Sequence, residues 1–469
     1  MRLNPLRDRG GSRLRRGLVV TAALALATSG FAVAATSGPA SAARVDNPYS
    51  GASVYVNPDW SSEAAGDGGN AIADEPTFIW LDTMSAIDGS NGRMGLKAQL
   101  DNAVSEGANL VQFVIYDLPG RDCAALASNG EIPAGDIDTY EHSYIDPIVS
   151  IMSDPAYADL RIVNVIEPDS LPNLVTNADN QATATPECQA EKANGDYING
   201  VGYALANLGA IPNVYNYIDI GHYGWLGWSD NFTAFPAVAH QAATASGASV
   251  DDVQGFVSNT AGYSPTVEPY FTVNDSVNGT SVKQSKWIDY NNYNEELSFD
   301  QDMRSALVSA GFNSDIGMLI DTGRNGWGGS ARPTGPGPMT DVDSYVDGSR
   351  IDRRPQVGDW CNQDGAGIGA RPVAAPESGI DAYVWVKPPG ESDGDTATGE
   401  EMCDPNYSGN PRNNNSPTNA LPNAPHAGDW FSAEFQMLLQ NAYPALSSNA
   451  APVDPNHLTA KKIPNDHNE

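Results

Sequence analysis

A chain of 469 residues with 58 acidic side chains and only 25 Lys or Arg carries a formal net charge of −33. That balance excludes nucleic acid and anionic lipid as natural partners and suits a neutral polymer or small molecule. The 6 histidines form no H-x-x-x-H pair and the 4 cysteines no C-x-x-C pair, so neither a metal centre nor a cofactor is expected.

The chain opens with Arg2, Arg7, Arg9, Arg13, Arg15 and Arg16, runs uncharged from Gly17 to Ala35, and reaches small residues ending Ala40-Ser41-Ala42-Ala43. Residues 1–43 therefore read as a secretory signal peptide cleaved near Ala42 or Ala43. Arg15-Arg16 leaves both general and twin-arginine export open. A membrane anchor would need about twenty strongly apolar residues, whereas this run is rich in Ala and Thr and meets a small-residue site at once. A secreted, extracellular monomer is expected. Export also makes Cys123, Cys188, Cys361 and Cys403 disulfide formers, with three possible pairings.

Seven short apolar runs then recur, each ending on a polar or acidic residue: 76–82, 110–117, 161–169, 214–222, 253–259, 317–321 and 382–387. Helix-like intervals, such as 95–104 and 194–205, lie between several of them. Strands alternating with helices imply a parallel sheet. Polar residues gathered at one end of every strand imply a β/α barrel with its site at that end. Residues 325–360 and 388–425 are long and rich in Gly, Pro, Asn and Asp, the composition of lids or disordered segments. A bridge between Cys361 and Cys403 would pin the second as an ordered lid. Trp430, Phe431, Phe435, Leu438, Leu439 and Tyr443 recur at helical spacing, which predicts a closing amphipathic helix over 428–444. One catalytic domain over 44–446 is expected, followed by a polar tail, 447–469.

The third run, Arg161-Ile162-Val163-Asn164-Val165-Ile166-Glu167-Pro168-Asp169, has the β-branched composition of a buried strand. Pro168 ends ladder hydrogen bonding and is expected to keep Glu167 extended, presenting Asp169 past the strand end. The competing reading has Asp169 capping a helix that begins near Leu171. Other acids at strand ends are Asp82, Asp117, Asp122, Asp219, Asp321, Glu391 and Asp393. Glycosidic hydrolysis needs one carboxylic acid for the leaving oxygen and a second carboxylate for water, and crowding raises the pKa of one of them. Alternatively, several of these acids pair with Arg121, Arg324 or Lys387 and only hold loops. Trp80, Trp225, Trp228, Trp360 and Tyr116 sit beside the acids and offer flat faces for sugars, while Trp385 lies inside an apolar run and reads as core. No G-x-S-x-G elbow supports serine hydrolysis. Asp341, Asp343 and Asp347 read as a solvated acidic loop, since Gly348 is misplaced for a calcium loop.

Two longer stretches carry a resemblance. Residues 114–131, Val-Ile-Tyr-Asp-Leu-Pro-Gly-Arg-Asp-Cys-Ala-Ala-Leu-Ala-Ser-Asn-Gly-Glu, and 165–177, Val-Ile-Glu-Pro-Asp-Ser-Leu-Pro-Asn-Leu-Val-Thr-Asn, resemble the two signatures of glycoside hydrolase family 6. Blocks around Trp80, Asp219, Trp360 and Trp385–Asp393 extend the likeness over 47–446. The resemblance implies a distorted seven-stranded parallel β/α barrel with long active-site loops that cleaves β-1,4-glucan with inversion. It implies Asp169 as general acid, Asp122 as the group that raises its pKa and organises water, and Asp393 as candidate base, acting directly or through a water chain. Tyr116 and Ser128 would support sugar distortion and the water. Trp80, Asp82, His222, Trp225, Trp228, Asn259, Trp360, Lys387 and Glu391 match sugar-binding positions, and the disulfides would be Cys123–Cys188 and Cys361–Cys403. The partners implied are cellulose and cello-oligosaccharides. The long late loops resemble those of bacterial cellobiohydrolases, which release cellobiose from non-reducing ends. An open-cleft endo-β-1,4-glucanase and a non-catalytic glycan-binding barrel are the alternatives, the latter disfavoured by the three acids together. Gly120 departs from the family, where an acid is common, which bears on how Asp122 is held.

Overall fold

The computed structural model describes residues 44–90, 92–410 and 415–446; the expected signal peptide and tail lie outside them. All seven runs become strands: β1 Ile79–Leu81, β2 Leu110–Ile115, β3 Arg161–Ile166, β4 Val214–Asp219, β5 Gly255–Ser258 and β6 Gly317–Asp321, with β8 Ile380–Val384 last. An eighth strand, β7 Val373–Ala374, joins the edge. Two residues are too short for any periodic signal, so it was not foreseeable from pattern. The sheet order is β1-β2-β3-β4-β5-β6-β8-β7, parallel throughout except for β7 against β8. The first and last parallel strands meet again through a single bridge, Thr77 to Trp385, with Phe78 N donating to Trp385 O at 3.0 Å. The barrel is thus closed by its weakest seam.

Alternation decides what faces where. Val163 and Val165 of β3 point inward and pack with Val114, Tyr217, Leu319 and Val384. Ile162 and Ile166 point outward against the helix layer, among Tyr197, Val201 and Leu205. Both faces are covered, which is why the strand reads as one continuous apolar run. The helices Leu96–Glu106 and Asp196–Gly209 fall where the sequence places them, the first ending at Gly107 in the left-handed region, φ 76°.

The closing helix is shorter than expected, Ser432–Gln440. Trp430 is drawn into a bridge with Glu391, so helical winding starts only afterwards. Segment 325–360 also departs from a pure lid. Its middle forms the helix Val342–Ser349, capped by Asp341 accepting from Ser344 N at 2.9 Å. Val346 and Tyr345 pack with Phe271, Val277 and Val282 in a small separate core, and Asp341, solvated as expected, caps this helix where a loop was expected.

The strongest correction concerns Glu167. It is not extended: its φ is +49°. Its carboxylate accepts from Asp117 N at 3.2 Å, Leu118 N at 3.3 Å and Tyr140 Oη at 2.8 Å. These three hydrogen bonds outweigh the local preference of a residue before proline. The turn after β3 is thereby fixed from the β2 side.

Candidate active site

Asp169 follows that turn at φ +65°, and its side chain makes no capping hydrogen bond to the helix Ser170–Thr176. The capping reading therefore fails, and the carboxyl is left to a cleft of about 1720 Å³ at the ends of the strands. Its backbone N–H is held by Asp219 Oδ2 at 3.1 Å, and the same oxygen takes Gly221 N–H at 2.9 Å. Asp219, at the end of β4, is a positioning residue that the sequence marks only as one more acid. Recess into the protein, then the charges of Asp219, Asp122 and Asp393, push the Asp169 carboxyl well above the usual range. This is the condition for an acid that still holds its proton near neutral pH. Burial raises Asp219 itself to about 6, opposed by its two backbone donors.

A pH prediction follows from this pair. Asp219→Asn keeps an oxygen for the Asp169 N–H but removes the like charge that raises Asp169 most, so Asp169 should lose its proton at lower pH. Activity that needs protonated Asp169 disappears as pH rises through that pKa. The alkaline limb of the kcat profile should move to lower pH in the variant; an unmoved limb, or one moved upward, would contradict the coupling.

Asp122, at φ +57°, receives two hydroxyl donors on one oxygen: Tyr116 Oη at 2.7 Å and Ser128 Oγ. Burial raises its pKa, and Arg121, Ser128 and Tyr116 pull the other way. Arg121 was expected only as a possible loop-holder, and it is one. Its guanidinium lies 4.1 Å from the Tyr116 ring centroid, donates to Ser128 O at 2.9 Å and Asp82 O at 2.7 Å, and stands 3.6 Å from Asp117. Gly120, the departure noted above, has φ +58°, and a Cβ there would lie 2.3 Å from Glu191 Oε1. Glycine at that place makes room for Glu191 and leaves Asp122 held by its own donors.

Asp393 is bound far more tightly than an exposed base. Arg324 grips it with two hydrogen bonds, Nη1 to Oδ2 at 2.9 Å and Nη2 to Oδ1 at 2.8 Å. Tyr263 Oη, at 2.7 Å, and Asn362 N, at 2.8 Å, also donate to Oδ2. Glu434 shares Arg324 at 3.3 Å and lies 3.0 Å from Tyr263 Oη. Tyr263 and Glu434 carried no sequence signal, because their role arises only from contact; Asn362 belongs to the family-like block around Trp360, which assigned it no role.

The aromatic and polar residues expected to bind sugar mostly line the cleft: Trp80, Asp82, His222, Trp225, Trp228, Trp360, Lys387 and Glu391. Trp80 packs edge-on against Tyr116, centroids 5.2 Å apart, and anchors its indole N–H on Val386 O at 2.9 Å. Lys387 Nζ sits 5.3 Å from the Trp80 ring, and Arg93 fixes Glu391 at 2.9 Å. Trp225 donates to Thr176 Oγ1 at 2.7 Å. Burial and then Arg354 push the His222 imidazole down to about 3, so it works as a neutral ring.

Asn259 is the exception. It is fully buried, and its amide is spent on Asp321 O at 2.8 Å, Ser264 O at 3.3 Å and Ser264 N at 3.0 Å. It shapes the loop after β5 and does not reach the cleft wall. Asp321 likewise accepts from Ala261 N, Lys387 N and Gly323 N, each at 3.0 Å, which makes it a loop-holder.

Two disulfides form, Cys123–Cys188 and Cys361–Cys403. The second ties the late loop beside Asn362. Leu126 N donates to Glu400 Oε2 at 2.8 Å, and a Cβ on Gly394 would come within 2.5 Å of Ala127 Cβ. Segments 123–131 and 394–403, which both contribute to the cleft lining, therefore touch.

The family model described as Glycosyl hydrolases family 6 matches residues 44–442. Exoglucanase A of Cellulomonas fimi is 47% identical over 91% of this chain and 52% of that protein, so the chain spans about half of that relative's length. The 1,4-beta-D-glucan cellobiohydrolase CEL6C of Podospora anserina is 36% identical over 80% of this chain and 79% of its own. Among solved structures, the catalytic domain of Cellulomonas fimi Cel6B matches with TM-score 0.82 and 45% identity, covering 87% of this chain and 98% of that one. Cellobiohydrolase II (Cel6A) from Humicola insolens, solved with glucose and cellotetraose, matches with TM-score 0.65 and 31% identity, covering 85% and 99%. Among the described residues no helix is long and apolar enough to cross a membrane.

Proposed function

Since this chain belongs to glycosyl hydrolases family 6, we propose that it is a secreted, inverting cellobiohydrolase that cuts β-1,4-glucosidic bonds of cellulose and releases cellobiose from non-reducing ends. The observation that carries this reading is the convergence of Asp169, Asp122 and Asp393 in one aromatic-walled cleft, with buried Asp219 behind Asp169. Asp169 gives its proton to the bridging oxygen as the bond from that oxygen to the sugar carbon breaks. A water oxygen bonds to the same carbon from the opposite face, which inverts it, and surrenders a proton toward a carboxylate. Arg324, Tyr263 and Asn362 hold Asp393 in place, and that proton reaches it through further water. Asp122, with Tyr116 and Ser128 on one oxygen, keeps its other oxygen for orienting the water and adds to the charge that keeps Asp169 protonated.

The exo preference is supported by the contact of 123–131 with 394–403, two segments that line the cleft, since loops that meet at a cleft narrow its entry and favour chain ends over chain interiors. On soluble cellulose derivatives and on cellulose itself, cellobiose should dominate the products from the first time points while viscosity falls slowly. A rapid viscosity drop with mixed oligosaccharides would instead identify the endo-acting alternative.

A further inference from the structure

Beyond Trp228 the cleft wall runs into a turn, residues 285–292, that the hydrolytic machinery does not use. The turn is tied to the Trp228 segment at four points. Asp289 O accepts the Trp228 indole N–H at 2.8 Å, and Asn292 N reaches Gly227 O at 3.3 Å. Asn292 Nδ2 donates to Ser229 Oγ at 2.9 Å, and Asn291 Nδ2 to Tyr223 O at 2.9 Å. Turn and cleft wall therefore form one rigid unit.

Within that turn, Asp289 and Tyr290 both adopt the left-handed region, φ +44° and +64°. A bulky aromatic residue at positive φ is a steric outlier, normally accepted where the ring is packed. Here the ring is not packed. Tyr290 is 65% exposed, the most exposed large hydrophobic side chain among the described residues. Its backbone is nonetheless fixed, with Tyr290 N donating to Lys283 O at 2.7 Å. Folding gains no burial from this arrangement; it holds a flat ring out to solvent, one residue from the carbonyl that anchors a cleft tryptophan.

We propose that Tyr290 is an outer sugar platform beside Trp228, binding a glucosyl unit of a long β-1,4-glucan beyond the part held at Trp228. A phenol ring suits this ligand, because its face covers the apolar C–H side of a pyranose while its hydroxyl bonds to ring hydroxyls or water. The net charge of −33 favours a neutral chain over an anionic one at this rim. This inference rests on the reading of the cleft as a glucan site, and its test separates the two.

The probes are cellotetraose and a long water-soluble β-1,4-glucan, each titrated against the full chain carrying Asp169→Asn, with and without Tyr290→Ala or Tyr290→Phe. The ratio of long-chain to short-chain affinity should fall about three- to tenfold in the Ala variant, the range for one lost aromatic contact. The Phe variant, which retains the ring, should recover most of that ratio. An unchanged ratio in Tyr290→Ala overturns the proposal, as does an equal loss on both probes, which marks general damage. A shift in self-association without any change in glucan affinity also overturns it and assigns the ring to contact between copies. If the unsubstituted chain fails to hydrolyse glucan but the ratio still depends on Tyr290, the hydrolytic reading falls and the platform stands.

Discussion

Replacing Asp169 with Ala is expected to lower hydrolysis of unactivated β-1,4-glucan by about 10²- to 10⁴-fold, the contribution of a positioned general acid, while cello-oligosaccharides still bind. The separation of the two effects follows from geometry. The Asp169 side chain makes no capping hydrogen bond, and its backbone N–H, not its carboxyl, meets Asp219. Truncation therefore removes a proton donor without removing a structural tie. Relief of charge crowding among Asp219, Asp122 and Asp393 offsets part of any lost packing. Substrates whose leaving group departs without a proton should lose much less rate. Single-turnover hydrolysis beside a binding isotherm checks all of this; wild-type turnover of unactivated glucan in the variant would end the assignment of Asp169 as acid.

Replacing Arg324 with Leu should cost about 3–5 kcal/mol of stability, the penalty for breaking a buried ion pair from one side. The Arg324 side chain is 1% exposed, with Asp393 at 5% and Glu434 at 0%, so solvent cannot replace the lost guanidinium. Its stacking 4.3 Å from the Tyr263 centroid disappears as well. Lys would be a poor substitute, since a single ammonium cannot span both Asp393 oxygens.

The loss should also depend on pH in a defined direction. Burial already raises the Glu434 carboxyl to about 7 while Arg324 opposes that rise, so without the guanidinium its folded pKa climbs further above that of the unfolded chain. A group shifted in that sense gives its full stability below the unfolded carboxylate pKa, roughly 4, and loses it as pH rises through the folded value. The gap in Tm between wild type and variant should accordingly be small near the acid end and widen toward pH 8. Activity should fall too, because Asp393 loses the two bonds that set its orientation. A gap in Tm that is constant with pH would show that the charge on Arg324 is not what stabilises the site.

The reach of sequence reasoning differs from residue to residue for physical reasons. The run before Asp169 was legible because a strand covered on both faces must be apolar throughout, and an acid after proline cannot belong to it. Trp385 was correctly separated from the cleft tryptophans, being fully buried against Trp60. Glu167 was misread because the steric rule for a residue before proline is local, while the bonds that overturn it come from residues about 50 and 27 positions away. Asn259 matched a family position, yet its amide is consumed by its own loop and by Asp321. A residue type at the right place in a motif does not say whether its polar atoms are already spent.

Seven strands, their alternation with helices and the cleft at their carboxyl ends were determined by the sequence itself, because hydrophobic period and chain-local breakers act over a few residues. Which acids stay free and which are tied down was decided only by the tertiary structure. Arg324 meets Asp393 across 69 residues of chain, and Asp219 reaches Asp169 across 50. Desolvation and charge coupling depend on distance in space, and no spacing along the chain encodes that distance.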